Sequence, residues 1–166
     1  MRRYNNWIKP TNLPAADLRF ILAVNPPKCM TPENAISKLF DWAEKRRDIS
    51  AVCIVGSYAR GTARPDSDID AVILCDDPKK LLSEKAWLEG FGQIARTEHE
   101  DWGALQSLRT YYQDGLEIEF GLALPSWAAI PVDSGTREVV LDGMRILYDP
   151  SGLLRALEKA AVSPVD

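Results

Sequence analysis

Two aspartates separated by one residue, Asp68 and Asp70, open an apolar run that continues through Leu74. Side chains alternate along a strand, so positions i and i+2 project to the same side roughly 6–7 Å apart. Carboxylates placed this way repel one another, and a divalent cation is the simplest compensation. Mg²⁺ takes one or two protein carboxylates and completes its octahedron with water and substrate phosphate oxygens. The pair therefore predicts a phosphorylated ligand.

Upstream, a second apolar run (Val52, Cys53, Ile54, Val55) stops at Gly56-Ser57. Glycine has no Cβ, so backbone can approach a ligand closely at Gly56. Ser57 offers a hydroxyl beside N–H groups that a short helix over Tyr58 to Arg60 leaves unpaired. Arg60 and Arg64 lie in the same loop and are suited to a triphosphate, and Gly61 lets the chain turn back. Two other motifs fail on detail. Gly56 and Gly61 have the spacing of a P-loop, but Thr62 and Ala63 stand where Lys and Ser/Thr are required. Asp66, Asp68 and Asp70 imitate the start of an EF-hand, but Ala71 replaces the turning glycine and Asp77 the bidentate glutamate.

Gly56-Ser57, the loop with Arg60-Gly61-Thr62, and Asp68-Ile69-Asp70 between apolar residues resemble the signature of the DNA polymerase beta-like nucleotidyltransferase superfamily. The likeness is to its minimal nucleotidyltransferases and its aminoglycoside-type members, and it extends over roughly residues 30–160. It implies an α+β nucleotidyltransferase fold: a mixed twisted sheet with an antiparallel hairpin, and helices packed mainly on one face. It also implies a third carboxylate from a later strand, for which Ile118-Glu119-Phe120 is the match. Glu117 points the same way and stays open as the alternative, because hairpin register is not set by sequence.

On that resemblance, Asp68, Asp70 and Glu119 hold Mg²⁺ or Mn²⁺ and do the catalysis, while Gly56, Ser57, Arg60 and Arg64 bind the nucleotide. The implied reaction moves a nucleoside monophosphate, expected to be AMP from ATP, to a hydroxyl of a small molecule or protein and releases pyrophosphate. The alternative is an antitoxin-type minimal nucleotidyltransferase that binds, and in some cases AMPylates, a helical toxin partner. Antibiotic-modifying members usually add a C-terminal helical domain, whereas here one helix closes the chain. The acceptor surface is then expected from loops, the N-terminal leader, a second subunit of a homodimer, or a partner protein.

The elements that must position these residues can be outlined. Thr31-Pro32-Glu33 starts a helix whose stripe is Ala35, Ile36, Leu39, Phe40 and Ala43. Asp77-Pro78 opens another through about Glu89. Thr97 to Asp101 reads as an acidic loop containing the chain's single histidine, His99, taken as solvated. Asp114-Gly115 joins strands over 104–113 and 116–124. Pro125, Pro131 and Gly135 mark a loop, with Trp127 either core or acceptor surface. A last strand lies within Asp142 to Asp149, and Ser151-Gly152 caps a closing helix to about Ala160.

Composition frames the rest. At 166 residues the chain divides into a proline-rich leader, 1–27, and a nucleotidyltransferase domain, 28–166, large enough for a core without staples. It is 46% hydrophobic and 27% charged with a net charge of −4, which argues against a sequence-independent nucleic-acid binder. Cys29, Cys53 and Cys75 lack metal-ligand spacing and read as reduced thiols. No run approaches the 18 or so apolar residues of a membrane span, and no signal-peptide core is present. A cytoplasmic, membrane-free protein is expected.

Overall fold

Thr31 begins the first helix as expected: its hydroxyl accepts from the Asn34 amide at 3.2 Å, and proline follows where an amide would be idle anyway. This helix, α1 (Pro32–Glu44), buries Ala35, Leu39 and Ala43. The computed structural model describes residues 29–163. The leader expected over 1–27 lies outside them.

Among the described residues six strands follow: β1 (Ile49–Val55), β2 (Ile69–Cys75), β3 (Ile94–Asp101), β4 (Leu105–Tyr112), β5 (Glu117–Ala123) and β6 (Met144–Tyr148). They form one sheet in the order β3-β4-β5-β2-β1-β6. Every neighbouring pair is antiparallel except β2 and β5, which run parallel. The expected α+β class and mixed sheet are therefore present. β1 and β2 are interior strands, and their nearly unbroken apolar sequences suit strands covered on both faces.

Helices cover both faces of the sheet, where mainly one was expected. On one face α1, α3 (Pro78–Ser83) and a 3-10 turn over Lys85–Phe91 enclose Ile54, Ile73, Phe91 and Phe120. Trp87 stacks on Trp42 at 5.0 Å and meets Phe120 edge-on at 4.8 Å. On the other face, α4 (Ser134–Asp142), α5 (Leu153–Val162) and Trp127 cover Cys53, Val72 and Leu74. Farther along that face, β4 and β5 carry Ser107, Arg109, Glu117 and Glu119. This polar half is where chemistry can occur.

Four local expectations are corrected. Thr97 to Asp101 belongs to β3, pairing with β4 from Ile94↔Tyr112 to Asp101↔Gln106. As an edge strand it is little buried on either face, so it needs no apolar alternation and reads like a loop. The helix expected from Asp77 to Glu89 breaks at Glu84 (φ −89°, ψ 68°). There the Trp87 indole N–H donates to the freed Leu81 carbonyl at 3.0 Å. The loop expected around Gly135 contains α4, capped by Asp133, whose carboxylate accepts from the Thr136 amide at 3.0 Å. The hairpin turn has three residues, 113–115, because Tyr111 pairs with Glu117 and the Tyr112 amide with the Leu116 carbonyl. His99 is exposed, as expected, and its Nε2 lies 2.8 Å from Gln106 Oε1.

The closing helix starts after Gly152, and buried Asp149 accepts from the Leu154 and Arg155 amides. Cys53 and Cys75 are buried free thiols, and burial pushes both up to about 12. No helix among the described residues is long and apolar enough to cross a membrane.

Candidate active site

The parallel register of β2 and β5 sets Asp70 opposite Glu119. Asp68 precedes β2 by one residue and projects to the same side. One carboxylate oxygen from each of Asp68, Asp70 and Glu119 lies within 4.8 Å of the others, and all three residues are half-buried. The sequence alternatives at the third position thus separate in space. Glu119 joins the two aspartates, while Glu117 pairs with Arg109 at 2.7 Å outside the cluster. Glu119 is further held by Ser107, a fully buried residue whose hydroxyl donates to Oε1 at 2.6 Å.

Burial lifts the Asp70 carboxyl to about 7, and the charges of Asp68 and Glu119 push in the same direction. Arg109 opposes them. Its guanidinium donates to Asp68 at 2.8 Å and to Glu117 and Glu119, and its Nε lies 3.7 Å from Glu100. Those carboxylates hold the guanidinium above its ordinary range, with Glu117 the largest influence.

Val55, the last residue of β1, pairs with Asp70, and Gly56 opens the short helix α2 (Gly56–Arg60) directly beside it. α2 lies between β1 and β2 in the chain. Gly56 has φ +65°, and a Cβ built on it would sit 2.6 Å from Asp70 Oδ2. The glycine admits the acid as well as the turn. Gly56→Ala is expected to cost about 1–2 kcal/mol for the left-handed backbone alone and to displace Asp70. Thermal melts and Mn²⁺ titration check both effects, and unchanged Mn²⁺ affinity would show that Asp70 had stayed in place.

The remaining residues expected at the site are nearby in sequence but otherwise engaged. Arg60 pairs with Asp142 at the end of α4, donating also to its carbonyl at 3.1 Å. Arg64 is exposed and lies 3.2 Å from Asp66. Ser67 braces this loop, its hydroxyl accepting from the Arg64 amide at 2.9 Å. Ser57 stands half-buried on the first turn of α2, and its carbonyl accepts from the Thr62 amide at 3.0 Å. Sequence reasoning missed Ser107 and Arg109. The usable signal was the cross-strand position opposite Glu119, which needs the length of the hairpin turn.

Sheet and acids together define an α+β fold that gathers three carboxylates into a set suited to a hard divalent cation. Residues 36–115 match the family model described as Nucleotidyltransferase domain. Glu119 lies just beyond the matched segment, so its place beside Asp70 comes from the fold. No curated protein matches the sequence. Among solved structures, the chain is similar to an aminoglycoside 6-adenyltransferase from Bacillus subtilis, at 16% identity and a TM-score of 0.48, over 59% of this chain and 36% of that one. It thus spans well under half of that enzyme's length. It is also similar to a toxin-antitoxin with AMP-PNP, at 15% identity and a TM-score of 0.40, over 80% of this chain and 85% of that one.

Proposed function

We propose that the protein transfers a nucleoside monophosphate from an NTP, with ATP as the first donor to test, to an acceptor hydroxyl in a Mg²⁺- or Mn²⁺-dependent reaction that releases pyrophosphate. The observation that carries this reading is the convergence of Asp68, Asp70 and Glu119 within 4.8 Å. Three carboxylates are a hard oxygen donor set, suited to Mg²⁺ or Mn²⁺. The concentration of negative charge that Arg109 answers here fits the same conclusion. A divalent cation held there supplies charge neutralisation at the phosphate and favours ionisation of the attacking hydroxyl.

The chain's own groups do the rest. Gly56 and Ser57 grip the β and γ phosphates, with Arg60 and Arg64 able to exchange Asp142 and Asp66 for phosphate oxygens. Glu119, oriented by Ser107, takes the acceptor proton, a role that contributes about 10²–10⁴-fold. In-line positioning and neutralised charge account for the remainder. A cytoplasmic setting suits both the NTP donor and the buried free thiols Cys53 and Cys75.

Incubation with each labelled NTP and Mg²⁺ or Mn²⁺, against a panel of hydroxyl compounds and cell lysate, is expected to give label transfer and pyrophosphate. Chelation of the cation should stop both. Failure of every nucleotide to bind in the presence of either cation would remove the reading.

A further inference from the structure

The acid cluster opens into a cavity of about 430 Å³ between the sheet and α4. Resting on the transfer reaction proposed above, we infer that this cavity seats the acceptor, and that the acceptor is a small molecule carrying its hydroxyl on an apolar, ring-sized body.

Asp70 and Glu119 line the cavity, and Val72 and Gly121, the next positions facing the same way on β2 and β5, line it with them. The volume falls in the range of small-molecule sites, about 300–1,000 Å³. Which substrate enters follows from what lines it. Gly56, Ser57, Arg60 and Arg64 are not part of the lining, and among the described residues no lysine, arginine or histidine is. A triphosphate therefore finds no counter-charge there. In an in-line displacement the attacking and leaving oxygens occupy opposite sides of phosphorus. With pyrophosphate leaving toward Gly56 and Ser57, the side that shares the acids but not the phosphate grip is the acceptor's.

The chemistry of the walls narrows the acceptor. Leu105, Val139 and Trp127 supply apolar surface, and Trp102, 65% exposed, stands at the β3–β4 turn and lines the cavity as well. Beyond the catalytic pair the lining acid is Asp133, whose carboxylate is already bonded to the Thr136 amide. A polycation would find little to pair with. The apolar body sits against Leu105 and Val139 and presents its hydroxyl to Glu119. Its oxygen bonds to the α-phosphorus as the proton passes to Glu119. The bond from that phosphorus to the bridging oxygen breaks, and pyrophosphate leaves with the electron pair.

The test uses 2-naphthol as probe, its binding followed by NMR and its nucleotidylation by label transfer, with NTP–Mn²⁺ binding measured on the same samples. Ala104→Phe and Val139→Phe add bulk at exposed lining positions and leave the core alone. Each is expected to weaken 2-naphthol by about tenfold or more, near 1.4 kcal/mol, to suppress its labelling, and to leave NTP–Mn²⁺ binding unchanged. Naphthol binding that ignores both substitutions overturns the proposal. So does weakened NTP–Mn²⁺ binding in the variants, which would make the cavity a nucleoside seat. So does label passing to a polycationic amino sugar in preference to 2-naphthol. Loss of NTP–Mn²⁺ binding in the unmodified protein instead overturns the transfer reaction itself.

Discussion

Asparagine at position 70 is expected to reduce nucleotidyl transfer by about 10³-fold, several kcal/mol of lost charge stabilisation, and at the same time to raise the melting temperature at pH 8. Both effects come from one carboxylate. In the folded chain, burial and then the charges of Asp68 and Glu119 lift the Asp70 carboxyl from 3.8 to about 7. Between those two values the folded protein keeps a proton that the unfolded chain has released. Stability therefore falls as pH rises through this window, and the loss is complete above about 7. Asparagine has no such charge, so the advantage of the variant should grow from pH 4 to pH 8. Melts across that range, with and without Mg²⁺, check the claim: the unmodified protein should gain more from the cation than Asp70→Asn does. A variant less stable than the parent at pH 8, or one retaining most activity, would contradict it.

Arg109→Met should have the opposite signature. The substitution keeps much of the aliphatic stem but leaves Asp68, Glu117 and Glu119 without their shared cation. Removing one partner from a buried ionic cluster costs about 3–5 kcal/mol; at this half-buried position the lower end of that range is expected. Because the defect is missing positive charge, millimolar Mn²⁺ should restore part of it, and the rise in melting temperature on adding Mn²⁺ should exceed that of the unmodified protein. Equal rises in the two proteins would mean that Arg109 and the cation answer to different acids.

The contrast between these residues shows what a linear reading can reach. Gly56, Ser57, Asp68 and Asp70 lie within fifteen positions, and the chemistry follows from local spacing. Glu119 is visible as an acid between apolar neighbours, but its selection over Glu117 needs the β2–β5 register. Arg109 was hidden by one residue. A two-residue turn at Asp114-Gly115 sets Thr110 across from Glu119, whereas the observed three-residue turn sets Arg109 there, and a shift of one exchanges the faces of a strand. β3 escaped because an edge strand can be charged on both sides. α4 escaped because Gly135 and Pro131 suggest a break, while its cap, Asp133, and its buried positions Thr136 and Val140 are set by tertiary packing.

β2 and β5 are the sheet's parallel neighbours, and a parallel pair cannot close through a tight turn. The chain must complete the β3–β4 excursion before residue 119 returns alongside residue 70. Such distant pairing is among the slower events of folding. A nascent or clipped chain ending before β5 holds two of the acids and the Gly-Ser turn without the third acid, so under the proposed reaction nucleotide consumption would wait until the polypeptide has finished assembling itself.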